Sequence, residues 1–179
     1  MIERGLPTVA MAYHETMQAT IRDWSREDVG KIVALWLEAL AELDPGEAPL
    51  RPDAEARLRS WLVERLRERT GLGLIAEVGG AFGGFLLGRV GEWDSSPPIL
   101  RTRRIGLIDV VCVADRFRKQ GIGSALVSHA VGKMESRGVE RLETNFQAGD
   151  LRAARLWARM GFVPSLQRAW RPPGPAGGT

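Results

Sequence analysis

A strand, a glycine-rich turn and a helix follow one another between Val110 and Val127, and this unit constrains the fold more than any other part of the chain. Its first part, residues 110–113, is mostly β-branched, which is typical of a buried strand. A polar turn with Gly121 and Gly123 comes next. Apolar residues then recur every four positions, at Ile122, Leu126, Ala130 and Met134. This spacing predicts an amphipathic helix directly after the turn.

The glycine turn has the properties of an anion site. The first N–H groups of a helix have no partner within it, and the helix dipole is positive at that end. Gly121 and Gly123 lack the side chains that would keep an anion away, while Arg118 and Lys119 add positive charge. This combination favours a phosphate or a pyrophosphate. The spacing differs from the loop of nucleoside triphosphatases and from the three-glycine dinucleotide fingerprint.

Length and composition predict a single domain. The chain has 179 residues, and its hydrophobic fraction of 44% is ordinary for a folded protein. No apolar run approaches the ~20 residues of a membrane span, and the start lacks a secretory signal. Because the net charge is only +3 and is spread along the chain, we expect neither a nucleic-acid nor a membrane partner. One cysteine and two histidines form no ligand cluster, so we expect no metal. A single cysteine forms no disulfide within the chain, which is compatible with the cytoplasmic location that we expect.

Periodicity and turn signals predict a mixed α/β chain. Helices are predicted over 26–43, about 53–70, from the glycine turn to about 137, and about 150–160. Strands are predicted over 18–23, 72–78, 82–90, 103–114, 139–146, 162–163 and 166–171. Residues 1–17 are predicted to be a flexible leader and 172–179 a disordered tail, which leaves 18–171 as the folded domain.

Two motifs in this order resemble those of the GCN5-related N-acetyltransferase (GNAT) superfamily. Arg118-x-x-Gly121-x-Gly123 after an apolar strand looks like the family's acetyl-CoA pyrophosphate loop. The stretch Asp150–Phe162 is similar to the family's Asn-x-x-Ala-x-x-Leu-Tyr-x-x-x-Gly-Phe signature. The resemblance covers about residues 19–171. It implies a single α/β (α+β) domain with a mixed central sheet of about six or seven strands, flanked by about four helices.

The resemblance implies an enzyme that transfers an acetyl group from acetyl-CoA to a primary amine by direct attack in a ternary complex. The implied cosubstrate-binding residues are Val111, Val113, Arg118, Lys119, Gln120, Gly121, Ile122, Gly123, Ser124, Asp150 and Trp157. The N–H of Val113 would also act in catalysis, by binding the thioester carbonyl and its oxyanion. The acceptor would be a small-molecule or peptide amine. Dimers are common in the family, so a homodimer is compatible with the resemblance.

Two positions depart from the family pattern. Trp157 stands where the family often has a tyrosine that serves as general acid, and an indole cannot supply that proton. Asp150 stands in place of an asparagine and is typical of a helix N-cap. Thiols titrate near ~8.5, so the leaving thiolate has a modest need of an acid. An amine with a pKa near ~10 must first lose a proton, so a base matters more.

Asp109 is the candidate general base. Many family members carry an acidic residue at this place in the strand, and an acid within an apolar strand needs a partner or a purpose. The alternative is a structural ion pair with Arg101, Arg103 or Arg104. Cys112 is a weaker candidate, since a cysteine among aliphatic residues is more often part of the core.

Two other functions stay open at this point. A CoA-binding or regulatory module without turnover is favoured by the tryptophan at position 157. A protein that binds a different diphosphate at the glycine turn is the third hypothesis. In each case the acceptor or partner cannot be read from the fold class alone.

Overall fold

The structure is a computed structural model that describes residues 19–42, 49–93, 99, 101–147 and 149–165. These residues form a five-stranded sheet flanked by four α-helices. The strands are β1 (Thr20–Asp23), β2 (Gly71–Val78), β3 (Ala81–Trp93), β4 (Arg103–Val113) and β5 (Arg141–Thr144). The helices are α1 (Val29–Ala41), α2 (Ala54–Arg65), α3 (Ile122–Glu135) and α4 (Leu151–Arg159).

The strands lie in the sheet in chain order, and only β4 and β5 pair in parallel. A parallel pair needs a crossover connection, and α3 supplies it. A short 3-10 turn, Asp115–Phe117, separates the end of β4 from the glycine turn that starts α3. The predicted strand–turn–helix unit is therefore confirmed, and it sits at the carboxyl end of β4.

Successive side chains of each strand point to opposite faces of the sheet, so the core forms two clusters, one on each face. On the α3 face, Leu86 of β3 packs with Leu126 and Met134 of α3, and all three are fully buried. On the α1 face, Phe85 and its neighbours pack against α1 and α2. Burial of one such aliphatic or aromatic side chain contributes ~1.5–3 kcal/mol, so packing on both faces holds the helices in place.

A β-bulge bends β4 at Asp109. Ile108 and Val110 pair with consecutive residues of β3, so Asp109 between them is an extra residue. Gly88 lies opposite the bulge, where a Cβ atom would come within 2.7 Å of the carbonyl oxygen of Leu107. A glycine is therefore required for the two strands to approach at this point.

Several bounds differ from the sequence prediction. The sheet has five strands in the described residues, not six or seven. No strand forms at 162–163, because the left-handed Gly161 (φ 81°) ends α4 and the Phe162 N–H donates back to it. Helix α2 ends at Arg65 rather than near 70, since the following N–H groups make tight i to i−3 bonds. The leader, the tail and the strand predicted at 166–171 lie outside the described residues.

Candidate functional site

A cleft opens between β4 and β5. The two strands pair only from Ile105 to Ile108 on β4. At the last pair, the Thr144 hydroxyl donates to the carbonyl oxygen of Ile108 at 3.1 Å. Residues 109–113 of β4 have no pairing with β5 within the described part of the chain. The carboxyl-terminal half of β4 therefore presents one backbone edge to the cleft.

The N–H groups of Val111 and Val113 point into this cleft. Ala114 donates its N–H to the carbonyl oxygen of Gly83 at 2.9 Å, which makes this a hydrogen-bonded pair of the β3–β4 ladder. Because hydrogen-bonded and non-hydrogen-bonded pairs alternate, Val113 and Val111 direct their backbone groups away from β3. The Arg118 Nε donates to the Val113 carbonyl at 3.2 Å, which agrees with that orientation.

The turn over residues 118–124 forms a backbone cradle. Lys119 (φ 62°) and Gly121 (φ 81°) are both left-handed, and a turn that contains left-handed residues can gather its N–H groups into a concave anion site. Gly121 is the N-cap of α3, and no side chain caps this end of the helix. A Cβ atom on Gly121 would meet nothing within 4 Å, so the space in front of the turn is open. These donors fit a diphosphate.

Gly123 lies where the backbone cradle comes close to both α4 and β4. A Cβ atom at this position would lie 3.6 Å from Leu156 of α4 and 3.8 Å from Val113 of β4. The side chain of the preceding residue, Ile122, is buried in the core, so only its backbone faces the cradle. A larger side chain at Gly123 would therefore fill the space between helix, strand and turn.

The guanidinium of Arg118 is directed at Glu42, which follows the last residue of α1. Nη2 and Nη1 donate to the two carboxylate oxygens of Glu42 at 2.9 and 3.2 Å. Arg152, in the first turn of α4, donates to the same carboxylate at 3.3 Å. The hydrogen bond from Arg118 and the charge of Arg152 hold the pKa of Glu42 below its usual value. Asp115 also forms an ion pair with Arg118.

Asp150 caps α4, as its position predicts. Its carboxylate oxygen Oδ1 accepts hydrogen bonds from the N–H groups of Arg152 at 2.9 Å and Ala153 at 3.0 Å. A side-chain oxygen at an N-cap satisfies N–H groups that have no partner inside the helix. The acid therefore has a structural role that the asparagine of the family pattern could fill equally well.

Trp157 lies in the core of the α3 face and is 5% exposed. Its ring packs edge-on against Phe162, with 5.1 Å between centroids. The Phe162 N–H donates to the Trp157 carbonyl at 2.9 Å across the left-handed Gly161. This is a Schellman ending with its hydrophobic contact, so the Gly-Phe part of the motif terminates α4.

Asp109 lies on the α1 face, where two arginines hold it. Arg65 of α2 donates to Oδ2 at 2.5 Å, and Arg89 of β3 donates to Oδ1 at 2.8 Å. Burial raises the pKa of Asp109 above its ordinary value, and the charges of Arg89 and Arg65 oppose that rise without cancelling it. Arg65 is itself buried, and its guanidinium lies 4.9 Å from the centre of the Trp61 ring.

The partners expected for an ion pair of Asp109 were wrong. Arg101 and Arg104 pair instead with Glu140 and Glu92. Distance explains the difference, because Arg104 and Arg101 lie five and eight residues before Asp109 in an extended segment that rises ~3.3 Å per residue, whereas α2 packs on the face of the sheet that carries Asp109. Periodicity could have identified Arg65, which continues the apolar stripe of α2 formed by Leu58, Trp61 and Leu62. No such pattern marks Glu42.

Cys112 is half-buried and packs against the α1-face cluster. Burial raises the pKa of its thiol to about 12, so the thiol stays protonated at neutral pH. Among the described residues, no group of three or more histidine, cysteine, aspartate or glutamate side chains could hold a metal ion. Nor does any helix in the described ranges have the length and apolar character to cross a membrane.

Solved structures, acetyltransferases among them, share this architecture. Aminoglycoside N-acetyltransferase AAC(6')-Iy in complex with CoA gives a TM-score of 0.66 at 15% identity, over 87% of this chain and 95% of that one. A predicted acetyltransferase with acetyl-CoA from Clostridium acetobutylicum gives 0.69 at 15% identity, over 87% and 96%. A transcriptional regulator from Bacillus halodurans C-125 gives 0.68 at 21% identity, over 86% and 99%. These likenesses establish the fold.

The sequence decides the family. The model of the Acetyltransferase (GNAT) family matches residues 33–162, which is well over half of the chain. The protein therefore belongs to the GNAT acetyltransferase family, and the predicted fold class and family are confirmed. No curated protein matches the sequence. Membership places the protein among the acyl-CoA-dependent acetyltransferases and does not identify its acceptor.

Proposed function

We propose that the protein transfers an acetyl group from acetyl-CoA to the primary amine of a small-molecule or peptide acceptor, by direct attack in a ternary complex. One observation carries this proposal: the uncapped backbone cradle at residues 118–124 adjoins a cleft into which the N–H of Val113 points. The cytoplasm is the proposed location.

The backbone of this chain would do most of the binding. N–H groups from Lys119 to Ser124 would hold the pyrophosphate, and the N–H groups of Val111 and Val113 would hold the pantetheine arm and the acyl carbonyl. When bound, acetyl-CoA supplies an acetyl group activated as a thioester. Because the Val113 N–H is fixed by the β3–β4 ladder, it needs no reorganisation to stabilise negative charge on that oxygen.

The attacking amine must also lose a proton, so the reaction needs a group that accepts it. Asp109 is the proposed base, and its raised pKa makes it a better proton acceptor than an ordinary carboxylate. Four residues of strand separate it from Val113, a span of roughly 13 Å, so water would have to relay the proton. Its two arginine partners favour the other interpretation, in which Asp109 holds α2 against the sheet.

Direct attack is favoured over an acyl-cysteine route by the state of Cys112. A thiol with a pKa of about 12 is almost wholly protonated at neutral pH and is a poor nucleophile. Departure of the CoA thiolate needs little assistance, since thiols titrate near ~8.5. The lack of a phenol at Trp157 is therefore compatible with turnover.

A CoA-binding module without turnover is the second candidate. Two observations favour it: Trp157 cannot act as an acid, and both carboxylate oxygens of Asp109 accept hydrogen bonds from arginines. In that case the cradle would still bind CoA, and addition of an acceptor amine to the complex with acetyl-CoA would release no free thiol.

The decisive experiment measures release of thiol from acetyl-CoA with a panel of amines that includes aminoglycosides, polyamines, amino acids and peptides. Release above the hydrolysis rate with at least one amine supports the enzyme. Calorimetry with CoA and with ATP tests the cradle itself. Binding of CoA without any thiol release supports the module, whereas preference for ATP would overturn both.

A further inference from the structure

We propose that Glu42 is an internal competitor for the anion site, so that its carboxylate limits the affinity of the protein for CoA. This inference rests on the proposed function, because it assumes that the pyrophosphate lies at the glycine turn. It assigns a role to a residue at the end of α1, far in sequence from both family motifs.

Two arginines from different elements of the fold converge on this one carboxylate. Arg118 belongs to the glycine turn and makes a bidentate contact with Glu42, at 2.9 and 3.2 Å. Arg152 belongs to the first turn of α4, and both of its terminal nitrogens lie 3.3 Å from Oε2. Two guanidinium groups that share one oxygen form a site of the kind that binds a phosphate.

Glu42 therefore engages the guanidinium that could otherwise strengthen the cradle. The bidentate pair directs the terminal nitrogens of Arg118 towards α1, while Nε donates to the Val113 carbonyl. A pyrophosphate at residues 119–124 would attract both arginines, and any movement of a guanidinium towards it would weaken the contacts to Glu42. The side chain of Glu42 is 31% exposed, so water can solvate the carboxylate once the arginines leave it.

Glu42→Gln should tighten binding of CoA about three- to tenfold, because a neutral amide holds two partly exposed arginines less strongly than a carboxylate does. Pantetheine, which has the same arm but no phosphate, should bind the variant and the wild type equally. Isothermal titration with CoA and with pantetheine measures both. The combination separates competition for the arginines from a general change in the cleft.

Glu38→Gln is the matched control. Glu38 is exposed on the same helix, one turn earlier, and its change removes the same charge without touching either arginine. It should leave the affinity for CoA unchanged. An equal gain in CoA affinity in both variants would show that the effect comes from net charge alone, and it would overturn the proposal.

Unchanged or weaker binding of CoA by a folded Glu42→Gln variant would also overturn the proposal, since Glu42 would then hold the arginines ready for the ligand. If that variant does not fold, Glu42→Asp serves, because a side chain shorter by one methylene moves the carboxylate away from both arginines and weakens their contacts. It too should tighten CoA binding, and no change would count against the inference. Failure of the wild type to bind CoA would instead remove the proposed function.

Discussion

The glycine turn follows the carboxyl end of β4, and the Asp109 network lies at the bulge within that strand. The two regions are built in opposite ways. The turn is a run of consecutive residues whose backbone N–H groups form the site. The network joins side chains from α2, β3 and β4, at positions 65, 89 and 109. A site made of backbone depends on conformation at a few glycines, whereas a site made of side chains depends on the packing of three elements.

This contrast predicts where the molecule tolerates change. In the turn, most side chains can vary as long as the left-handed positions and the close approach at Gly123 are kept. In the network, each of the three side chains has a charged partner, so one substitution leaves another charge half-buried. Substitutions at the two regions should therefore affect different quantities: ligand affinity at the turn, and turnover together with stability at the network.

Gly123→Glu should have the largest effect. A carboxylate at this position would lie among the N–H groups that are proposed to hold the pyrophosphate, and like charges in contact cost several kcal/mol. We expect the affinity for CoA to fall at least about 100-fold with little change in the melting temperature. Gly132→Glu, on the same helix in open space, is the control and should bind CoA normally. Equal affinity in the two variants would remove the turn as the cosubstrate site.

Asp109→Asn separates the two interpretations of the network. If Asp109 is the base, turnover falls about 100-fold, CoA affinity is unchanged, and the rise of activity with pH through its raised pKa disappears. If it only holds α2, the free energy of unfolding falls by about 1–3 kcal/mol and the pH profile keeps its shape. Rates across pH, together with denaturant unfolding, decide between them. Full activity with unchanged stability would contradict both.

Trp157→Tyr should have a smaller effect. The smaller ring fits the same core position beside Phe162 and should cost about 1 kcal/mol in unfolding free energy. Because the thiolate leaves without much help, turnover should change no more than a few-fold. Steady-state kinetics with acetyl-CoA would check this, and a gain of about 100-fold would show that the missing acid limits the rate.

Cys112→Ala should have the smallest effect on catalysis. Its thiol is protonated at neutral pH, so the variant should keep the turnover of the wild type and lose about 1 kcal/mol of stability. Intact-mass measurement of the wild type with acetyl-CoA alone should find no acetylated protein. A stable acetyl adduct that the variant lacks would establish an acyl-cysteine route.

The sequence predicted the turn well because its signals are local. The β-branched run, Gly121 and the four-residue spacing that starts at Ile122 all lie within one short segment. The partners of Asp109 were missed because Arg65 and Arg89 lie 44 and 20 positions away in the chain, and only the packing of α2 and β3 against β4 brings them together. The contact between Glu42 and Arg118 joins residues 76 positions apart, which only the closed fold brings together.

The end of strand pairing at Ile108 and Thr144 also has a consequence for the behaviour of the purified protein. A row of backbone groups without a neighbouring strand can recruit a strand from another molecule, which is a common start of aggregation. A ligand that lies along that row would block such self-association and would also shift the unfolding equilibrium by mass action. We therefore expect the protein to stay monodisperse longer, in storage and during crystallisation, when CoA is present.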